Sequence, residues 1–171
     1  GGFNPAARHI TLGQDVSFYR LPDDTTPWPL RPVMNKDQRV NPDPLYPKNR
    51  GYQFAGYYLD DNSVPTFMYQ SGDLKIEDKT IVSPTPTALP VAQLTRSLSF
   101  ESLQAETIWF RALIGQLKQK SPTQIQLGDL LLTIPAADQT LVTRSLLRPL
   151  AQENEGSEFL LQLTIPRGKS Q

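Results

Sequence analysis

The sequence predicts an all-β protein, an antiparallel β-sandwich, with a distorted β-barrel as the alternative fold. Strand-like segments recur about every 8–15 residues, and no long segment shows the apolar period of a helix. Turn residues such as Gly, Asp, Asn and Pro separate these segments. A chain of 171 residues with 38% hydrophobic residues suits a single β domain over residues 1–171.

The central predicted element is a three-stranded meander over residues 51–79. Side chains alternate at period two in three segments, which we predict to be strands at 52–59, 65–70 and 74–77. Polar turns at 60–63 and 71–73 separate them. Asp, Asn and Gly are typical of such turns because they tolerate the backbone angles that turns require. The first strand carries aromatic residues on both faces, so we expect it to be covered on both sides.

The first 50 residues divide into a predicted hairpin and an arm. Period-two alternation within residues 1–22 predicts the hairpin. Seven prolines fall in the Pro-rich arm, residues 22–50, and exclude both a helix and a central strand there. Three interpretations of the arm stay open: an ordered arm lying on the sheet, a loop that binds a partner or forms a site, or a disordered segment. Trp28 and Tyr46 are its candidate contact residues.

Downstream, we expect four further strand regions, a polar turn and a last strand. The strand regions are 94–100, 106–114 (with a short helix as the alternative), 125–134 and 141–147, and a last strand follows at 159–166. Residues 117–123 are predicted to be a polar turn, and residues 167–171 a frayed end or the start of a linker. Arg96 occupies the apolar register, so we expect it near a strand end or paired. The string LTIP at 132–135 and 163–166 suits equivalent strand ends in one sheet.

Composition excludes several functional classes. The chain has 17 basic and 17 acidic residues, and this balance argues against non-specific nucleic-acid binding. It has no cysteine, which excludes disulfides, thiol catalysis, cysteine-bound metals and covalent haem attachment within this chain. No apolar run approaches about 20 residues, so we expect no membrane span. Because the sequence starts at Gly1 without Met, we expect a fragment, a processed form or a piece of a longer polypeptide.

Motifs for catalysis and metal binding are sparse. His9 is the single histidine, and no nucleophile elbow or phosphate-binding loop is present. Asp60, Asp61 and Asn62 are the best candidates for a hard cation, since such ions prefer oxygen ligands. Their spacing lacks the full EF-hand pattern, however, and a polar turn is the simpler explanation. We therefore assign no catalytic, cofactor or metal residue.

The aromatic residues are unevenly distributed. Eleven of the fifteen lie in residues 1–70. Tyr57 and Tyr58, with Asp60 to Asn62 beside them, could stack on a sugar and hydrogen-bond to it. The alternative is that the aromatic residues of the meander simply form the core, because aromatic side chains dominate core burial.

The meander also resembles a known family. The run YQFAGYYLDDNSVPTFMYQSGDLKIEDK is similar to a signature Y-x-F-x-G-Y-x-L-D, x-P-T-F-x-Y and G-D-x-x-V-E-D. It resembles a β-rich module of large extracytoplasmic proteins of planctomycete-type bacteria, which combine c-type cytochrome segments with a sorbosone dehydrogenase-like propeller. DDTTPWP at 23–29, LTRSLSF at 94–100 and IWFRALIG at 108–115 resemble neighbouring elements of that module. The resemblance covers residues 10–115.

The resemblance implies a periplasmic, non-catalytic accessory module without its own cofactor. The family's haem-binding C-x-x-C-H and its strands upstream of Gly1 do not occur in this sequence, so any cytochrome part lies elsewhere or is missing. The expected partner is a protein, a c-type cytochrome or a dehydrogenase subunit, with the Pro-rich arm wrapping it. On this hypothesis Trp28→Ala weakens docking without unfolding the domain. A carbohydrate-binding sandwich is the alternative, and an enzyme built from paired carboxylates is the third hypothesis.

Overall fold

The computed structural model of the chain describes residues 16–29, 45, 47–83, 93–135, 140–151 and 156–171. The described part is built from strands and one 3-10 helix, η1 (Lys48–Arg50). In chain order the strands are β1 (Phe18–Tyr19), β2 (Tyr52–Leu59), β3 (Pro65–Ser71), β4 (Leu74–Ser83), β5 (Gln93–Ser102), β6 (Glu106–Gly115), β7 (Leu117–Ser121), β8 (Gln124–Leu127), β9 (Leu130–Thr133), β10 (Val142–Pro149), β11 (Ser157–Ile165) and β12 (Gly168–Ser170).

These strands form three antiparallel sheets. Sheet A has the order β1-β6-β11-β10, sheet B has the order β12-β5-β4-β3-β2, and the smaller sheet C has the order β7-β8-β9. Sheets A and B contribute to one apolar core, as the two layers of a sandwich do. The predicted all-β, antiparallel fold is confirmed. The described strands form open sheets, so the sandwich rather than the closed barrel describes them.

The core lies between the inner faces of sheets A and B. Phe18 stacks on Phe110 with ring centroids 4.8 Å apart, and its ring meets that of Phe100 edge-on at 6.0 Å. Alternate residues of each strand enter this layer because successive side chains of a strand point to opposite faces. The other buried members include Val16, Leu74, Ile76, Ile108, Ile125, Phe159, Leu161, Leu163 and Ile165.

The meander over residues 51–79 is confirmed as β2, β3 and β4. Buried and exposed residues alternate strictly from Leu74 to Asp78, which is the expected pattern of a half-buried strand. Gly72 in the tight turn after β3 has a φ of 62°, a conformation that favours glycine. The expectation that the first strand is covered on both sides is wrong: β2 ends sheet B among the described strands, and only its first residue, Tyr52, is buried.

Most of the downstream predictions are confirmed. Residues 94–100 lie within β5, residues 106–114 form β6 rather than the alternative helix, and β10 and β11 contain the last two predicted strands. Arg96 is paired, since its Nε and Nη2 donate to the Asp78 carboxylate at 2.9 and 2.5 Å.

Three expectations about local structure are wrong. Most of the predicted turn at 117–123 is the strand β7. Lysines are typical of such an edge strand, and Leu117 is the residue of β7 that packs against the core. The two LTIP strings end strands of different sheets, β9 in sheet C and β11 in sheet A. Residues 168–170 are not frayed but form β12, which pairs with β5. The predicted N-terminal hairpin falls mainly on residues outside the described part, and Phe18 pairs with β6 instead.

Part of the Pro-rich arm crosses the outer face of sheet A. We call residues 20–29 the strap. Trp28 packs there with Leu21, Trp109 and Leu160 in a second apolar cluster. Its indole Nε1 donates to the Val16 carbonyl at 2.8 Å. For residues 22–29 the structure therefore supports the ordered-arm interpretation, whereas residues 30–44 and Tyr46 lie outside the described residues.

A turn in the strap contains a carboxylate whose pKa is lowered by the hydrogen bonds that it accepts. The Asp23 carboxylate accepts hydrogen bonds from the Thr25 side chain and from the Thr25 and Thr26 amides, which lower its pKa from 3.8 to about 2. Because the folded pKa is depressed, this stabilisation is present above pH 3.8 and is lost as the pH falls toward 2. We expect the Thr25 and Thr26 amide shifts to titrate near pH 2 by NMR. In Asp23→Asn, which keeps an acceptor but not the charge, that transition should be absent; a midpoint near 3.8 in the unmodified chain would contradict the assignment.

Candidate functional site

A cluster of aromatic rings runs from the core to β2, the last described strand of sheet B. Tyr52 stacks on Tyr69 with ring centroids 5.6 Å apart, and Phe54 follows at 5.8 Å from Tyr69. Phe67 lies 6.4 Å from Phe54 and 6.1 Å from Tyr57, at the outer end of the cluster. These separations fall within the range in which aromatic rings attract one another.

The outer part of this cluster is accessible to solvent. Phe54 is 56% exposed and Tyr57 is 60% exposed, whereas Phe67 is half-buried between them. We call Phe54, Tyr57 and Phe67 the aromatic surface. They lie on the face of sheet B that forms the core further along, because Phe54 is opposite Tyr69 and Tyr69 is opposite the buried Ile76. The aromatic surface thus continues the core face beyond the region that sheet A covers.

The strand that carries this surface has an unusual edge. Among the described strands β2 pairs only with β3, so its other edge is unpaired. The eight residues from Tyr52 to Leu59 include no charged side chain. Edge strands of soluble proteins commonly carry charges or prolines that discourage pairing with other chains. A long, uncharged, aromatic edge strand is therefore suited to contact another molecule.

The two tyrosines proposed for sugar binding lie on opposite faces of the sheet. Tyr57 is opposite Phe67 on the core face. Tyr58 is opposite Thr66 on the outer face, and its hydroxyl approaches the Glu77 carboxylate at 3.4 Å. Neighbouring strand residues alternate between faces. The structure therefore does not bring Tyr57 and Tyr58 into one platform.

The polar turn after β2 is occupied by its own contacts. Asp60 Oδ1 accepts from the Asn62 and Val64 amides, both at 2.9 Å, and Oδ2 accepts from Lys79 Nζ at 2.7 Å. The Lys79 hydrogen bond lowers the pKa of Asp60, so the carboxylate stays charged. These contacts favour the structural interpretation of the turn over a cation site. Asp61 and Asn62 are exposed beside it.

The two remaining candidates lie elsewhere. Trp28 is 3% exposed in the second apolar cluster, on sheet A rather than near the aromatic surface. It is thus part of the fold and is not accessible to a partner. Tyr46 lies outside the described residues.

Two tyrosines with raised pKa values lie on the inner face of sheet B. Burial raises the pKa of Tyr52, and burial followed by the negative charge of Asp78 raises that of Tyr69. Both hydroxyls therefore stay protonated at neutral pH. Both Asp78 oxygens accept from Arg96, whose guanidinium lies over the Phe110 ring at 4.9 Å from its centroid. This arrangement has the character of a structural ion pair rather than of a general base.

Other acids of the described part are also committed to ion pairs. Glu106 pairs with Arg20, Glu158 with Arg111 and Arg148, Glu101 with Lys75 and Asp24 with Arg144. Among the described residues, no group of three or more His, Asp or Glu side chains could hold a metal ion. Each of these paired carboxylates is thus held by a counter-charge.

Sequence reasoning did not single out two of the three residues of the aromatic surface. It considered Phe54 and Phe67 only among the aromatic residues of the meander, for which core burial was the alternative to a ligand face because aromatic side chains dominate core burial. One feature of the sequence could have identified them: no residue from Tyr52 to Leu59 is charged. Solvent-exposed strand faces and protected edge strands usually carry charged residues.

Comparison with protein-family models, with curated proteins and with solved structures gave no match for this chain. No helix in the described ranges has the length and apolar character needed to cross a membrane.

Proposed function

We propose that this chain is a non-catalytic binding module and that a partner protein docks on the aromatic surface. The observation that carries this proposal is that Phe54 and Tyr57 are exposed on β2, a strand without charged residues at the end of the described sheet B. Contiguous exposed apolar surface on a soluble domain commonly marks an interaction site.

A protein is the partner that fits this surface best. The cores of protein interfaces are enriched in Tyr and Phe and depleted in charged residues, as the aromatic surface is. The ring cluster also anchors the surface in the core through Tyr69 and Tyr52. Because these rings are already held in place, little side-chain entropy remains to be lost on docking.

We infer further that the partner belongs to a periplasmic redox assembly, as a c-type cytochrome or a dehydrogenase subunit. The family resemblance supports this inference, since the residues that carry its signature form β2, β3 and β4. The signature therefore coincides with the strands that present the aromatic surface. On this proposal the haem or other cofactor belongs to the partner, and this chain acts as a docking subunit.

The test is retention of a haem-containing partner from native extract by the tagged chain. We expect the unmodified chain to retain it, and Tyr57→Ser and Phe54→Ser each to weaken retention about tenfold or more. An aromatic side chain at the centre of an interface is commonly worth about 2 kcal/mol or more, and each 1.4 kcal/mol is about a tenfold change in affinity.

Leu103→Ser is the matched control, because Leu103 is also an exposed apolar residue but lies in the turn between β5 and β6. It should retain the partner as the unmodified chain does. Loss of retention in Leu103→Ser to the same degree, or equal retention by all variants, would contradict docking on the aromatic surface.

Carbohydrate binding is the second proposal, favoured by the exposed Tyr57 ring with Asp61 and Asn62 exposed at the turn after the same strand. Tyr57 alone would supply the stacking platform, because Tyr58 faces the other side of the sheet. Screening on a glycan array distinguishes the proposals. Binding that Tyr57→Ser removes and Tyr58→Ser leaves intact would support a glycan ligand, and no binding to any polysaccharide class would exclude it.

A further inference from the structure

The two ends of strand β2 carry opposite charges. Lys48 and Arg50 lie in η1, just before the strand, and both are exposed. Asp60 and Asp61 follow the strand directly, and Asp61 is exposed. Asp60 is paired with Lys79 at 2.7 Å, whereas the ion pairs of the described part of the chain involve neither Arg50 nor Asp61. The strand therefore has a positive start and a negative end.

A second copy of this chain matches this charge pattern. When two copies of one strand pair antiparallel, the start of each lies beside the end of the other. Arg50 of one copy then approaches Asp61 of the second copy, and the reciprocal contact forms at the other end. Between these ends no residue of β2 is charged, so no like charges meet. A parallel pair would instead bring like charges together at both ends.

The bulge in β2 sets the register of such a pair. The pairing of β2 with β3 shifts between Phe54 and Gly56, so Phe54 and Tyr57 share the core face although they are three residues apart. In a regular strand, residues three apart point to opposite faces. A twofold axis at the bulge therefore places Phe54 opposite Tyr57 of the second copy, with the core faces of both sheets on the same side. The same register places Arg50 opposite Asp61.

Pairing in this register covers side chains that are exposed in the single chain. Phe54 is 56% exposed, Tyr57 is 60% exposed and Leu59 is 55% exposed. Aromatic cross-strand pairs stabilise antiparallel sheets, and a strand edge offers backbone groups that an added strand can pair with. Because the bulge interrupts the ladder and the interface is one strand wide, we expect reversible association rather than a permanent dimer.

We propose that two copies of this chain pair reversibly and antiparallel through β2, and that this pairing covers the aromatic surface. Its regulatory consequence rests on the proposed docking of a partner protein, because self-pairing and docking use the same side chains. The second copy and the partner protein therefore exclude each other. Self-association thus regulates access to the aromatic surface.

Sedimentation equilibrium of the purified chain, from about 1 µM to 1 mM, covers the range of weak complexes. Arg50→Glu and Asp61→Lys each bring like charges together at both ends of the pair. We expect each to raise the dissociation constant of the dimer about tenfold, since two attractive contacts become repulsive. Asp129→Lys is the matched control, because Asp129 is also exposed but lies in the turn between β8 and β9. It should leave the dissociation constant unchanged.

An equimolar mixture of the two charge variants tests the antiparallel contact itself. When one Arg50→Glu chain pairs with one Asp61→Lys chain, opposite charges meet again at both ends. We expect the mixture to associate as strongly as the unmodified chain, although each variant alone is weakened. This recovery requires both variants to be folded, so it separates lost contacts from lost stability. Monomers at every concentration, a dimer that neither variant weakens, or a mixture no stronger than either variant would overturn the proposal.

Retention of the haem-containing partner distinguishes self-pairing from docking. Arg50→Glu leaves the aromatic surface intact and less often covered, so it should retain the partner at least as well as the unmodified chain. Retention of the partner by a chain that stays monomeric at every concentration would overturn self-pairing and leave docking intact. A dimer with the expected charge dependence but no retained partner would support self-pairing and contradict docking on the aromatic surface.

Discussion

Glu158→Ala should destabilise the fold more than any surface substitution. Glu158 is 2% exposed, and its carboxylate lies between two arginines: Arg148 Nε donates to Oε1 at 2.7 Å, and Arg111 Nε lies 3.0 Å from Oε2. Removal of the carboxylate leaves both guanidinium groups buried without their counter-charge. Loss of one partner from a buried ion pair commonly costs about 3–5 kcal/mol, and we expect a decrease of that size in the free energy of unfolding.

Urea denaturation followed by far-UV circular dichroism measures this decrease. The matched control is Glu101→Ala, because Glu101 pairs with Lys75 at 3.4 Å on the exposed face of sheet B. An exposed pair contributes about 0–1 kcal/mol, so this variant should unfold close to the unmodified chain. Equal effects of the two substitutions would contradict a stabilising role for the Glu158 cluster.

Trp28→Ala should also destabilise the fold strongly, in contrast to the expectation from sequence that it affects docking alone. The ring is buried with Trp109 and Leu160, and the Arg111 guanidinium lies 5.8 Å from its centroid. Removal of a buried tryptophan commonly costs about 3–5 kcal/mol, because it opens a large cavity. We expect the strap to detach from sheet A and the urea midpoint to fall.

Trp28→Phe tests how that effect divides between packing and hydrogen bonding. It keeps an apolar ring but loses the indole hydrogen bond to the Val16 carbonyl, which contributes about 1 kcal/mol. We therefore expect Trp28→Phe to lower the free energy of unfolding less than Trp28→Ala does. Part of this decrease comes from the lost hydrogen bond and part from the reduced packing of the smaller ring. Trp109 is the only other tryptophan and lies in the same cluster, so its fluorescence reports detachment of the strap. Unchanged Trp109 emission and stability in Trp28→Ala would contradict this account.

The sequence predicted the strands where period-two alternation and turn chemistry agreed. Buried and exposed side chains alternate strictly over residues 74–78, which lie in β4. Gly72 marks the turn before them. Prediction failed at β7, where a lysine-rich edge strand has the composition of a turn. It also failed at β12, which is held by pairing with β5 and has no apolar pattern of its own.

The candidate site was predictable only in part. Tyr57 was identified by its residue type, and it faces away from Tyr58 because neighbouring strand residues alternate between faces. What periodicity could not show is the bulge between Phe54 and Gly56, which brings Tyr57 rather than Tyr58 onto the face of Phe54. The exposure of Phe54 depends on β2 being the last described strand of its sheet, and strand order is a long-range property that periodicity does not contain. Trp28 was predicted to contact a partner, yet the face of sheet A that buries it comes from β6 and β11, more than 80 residues away.

Hydroxyl-radical footprinting of the free chain and of its native complex tests docking on the aromatic surface most directly. Phe54 and Tyr57 are exposed aromatic side chains and should be oxidised readily in the free chain. In the complex we expect their oxidation to fall several-fold, while the exposed Leu103 reacts as before. Equal oxidation of Phe54 and Tyr57 in the free and bound chain, with protection elsewhere, would show that the partner docks on a different surface.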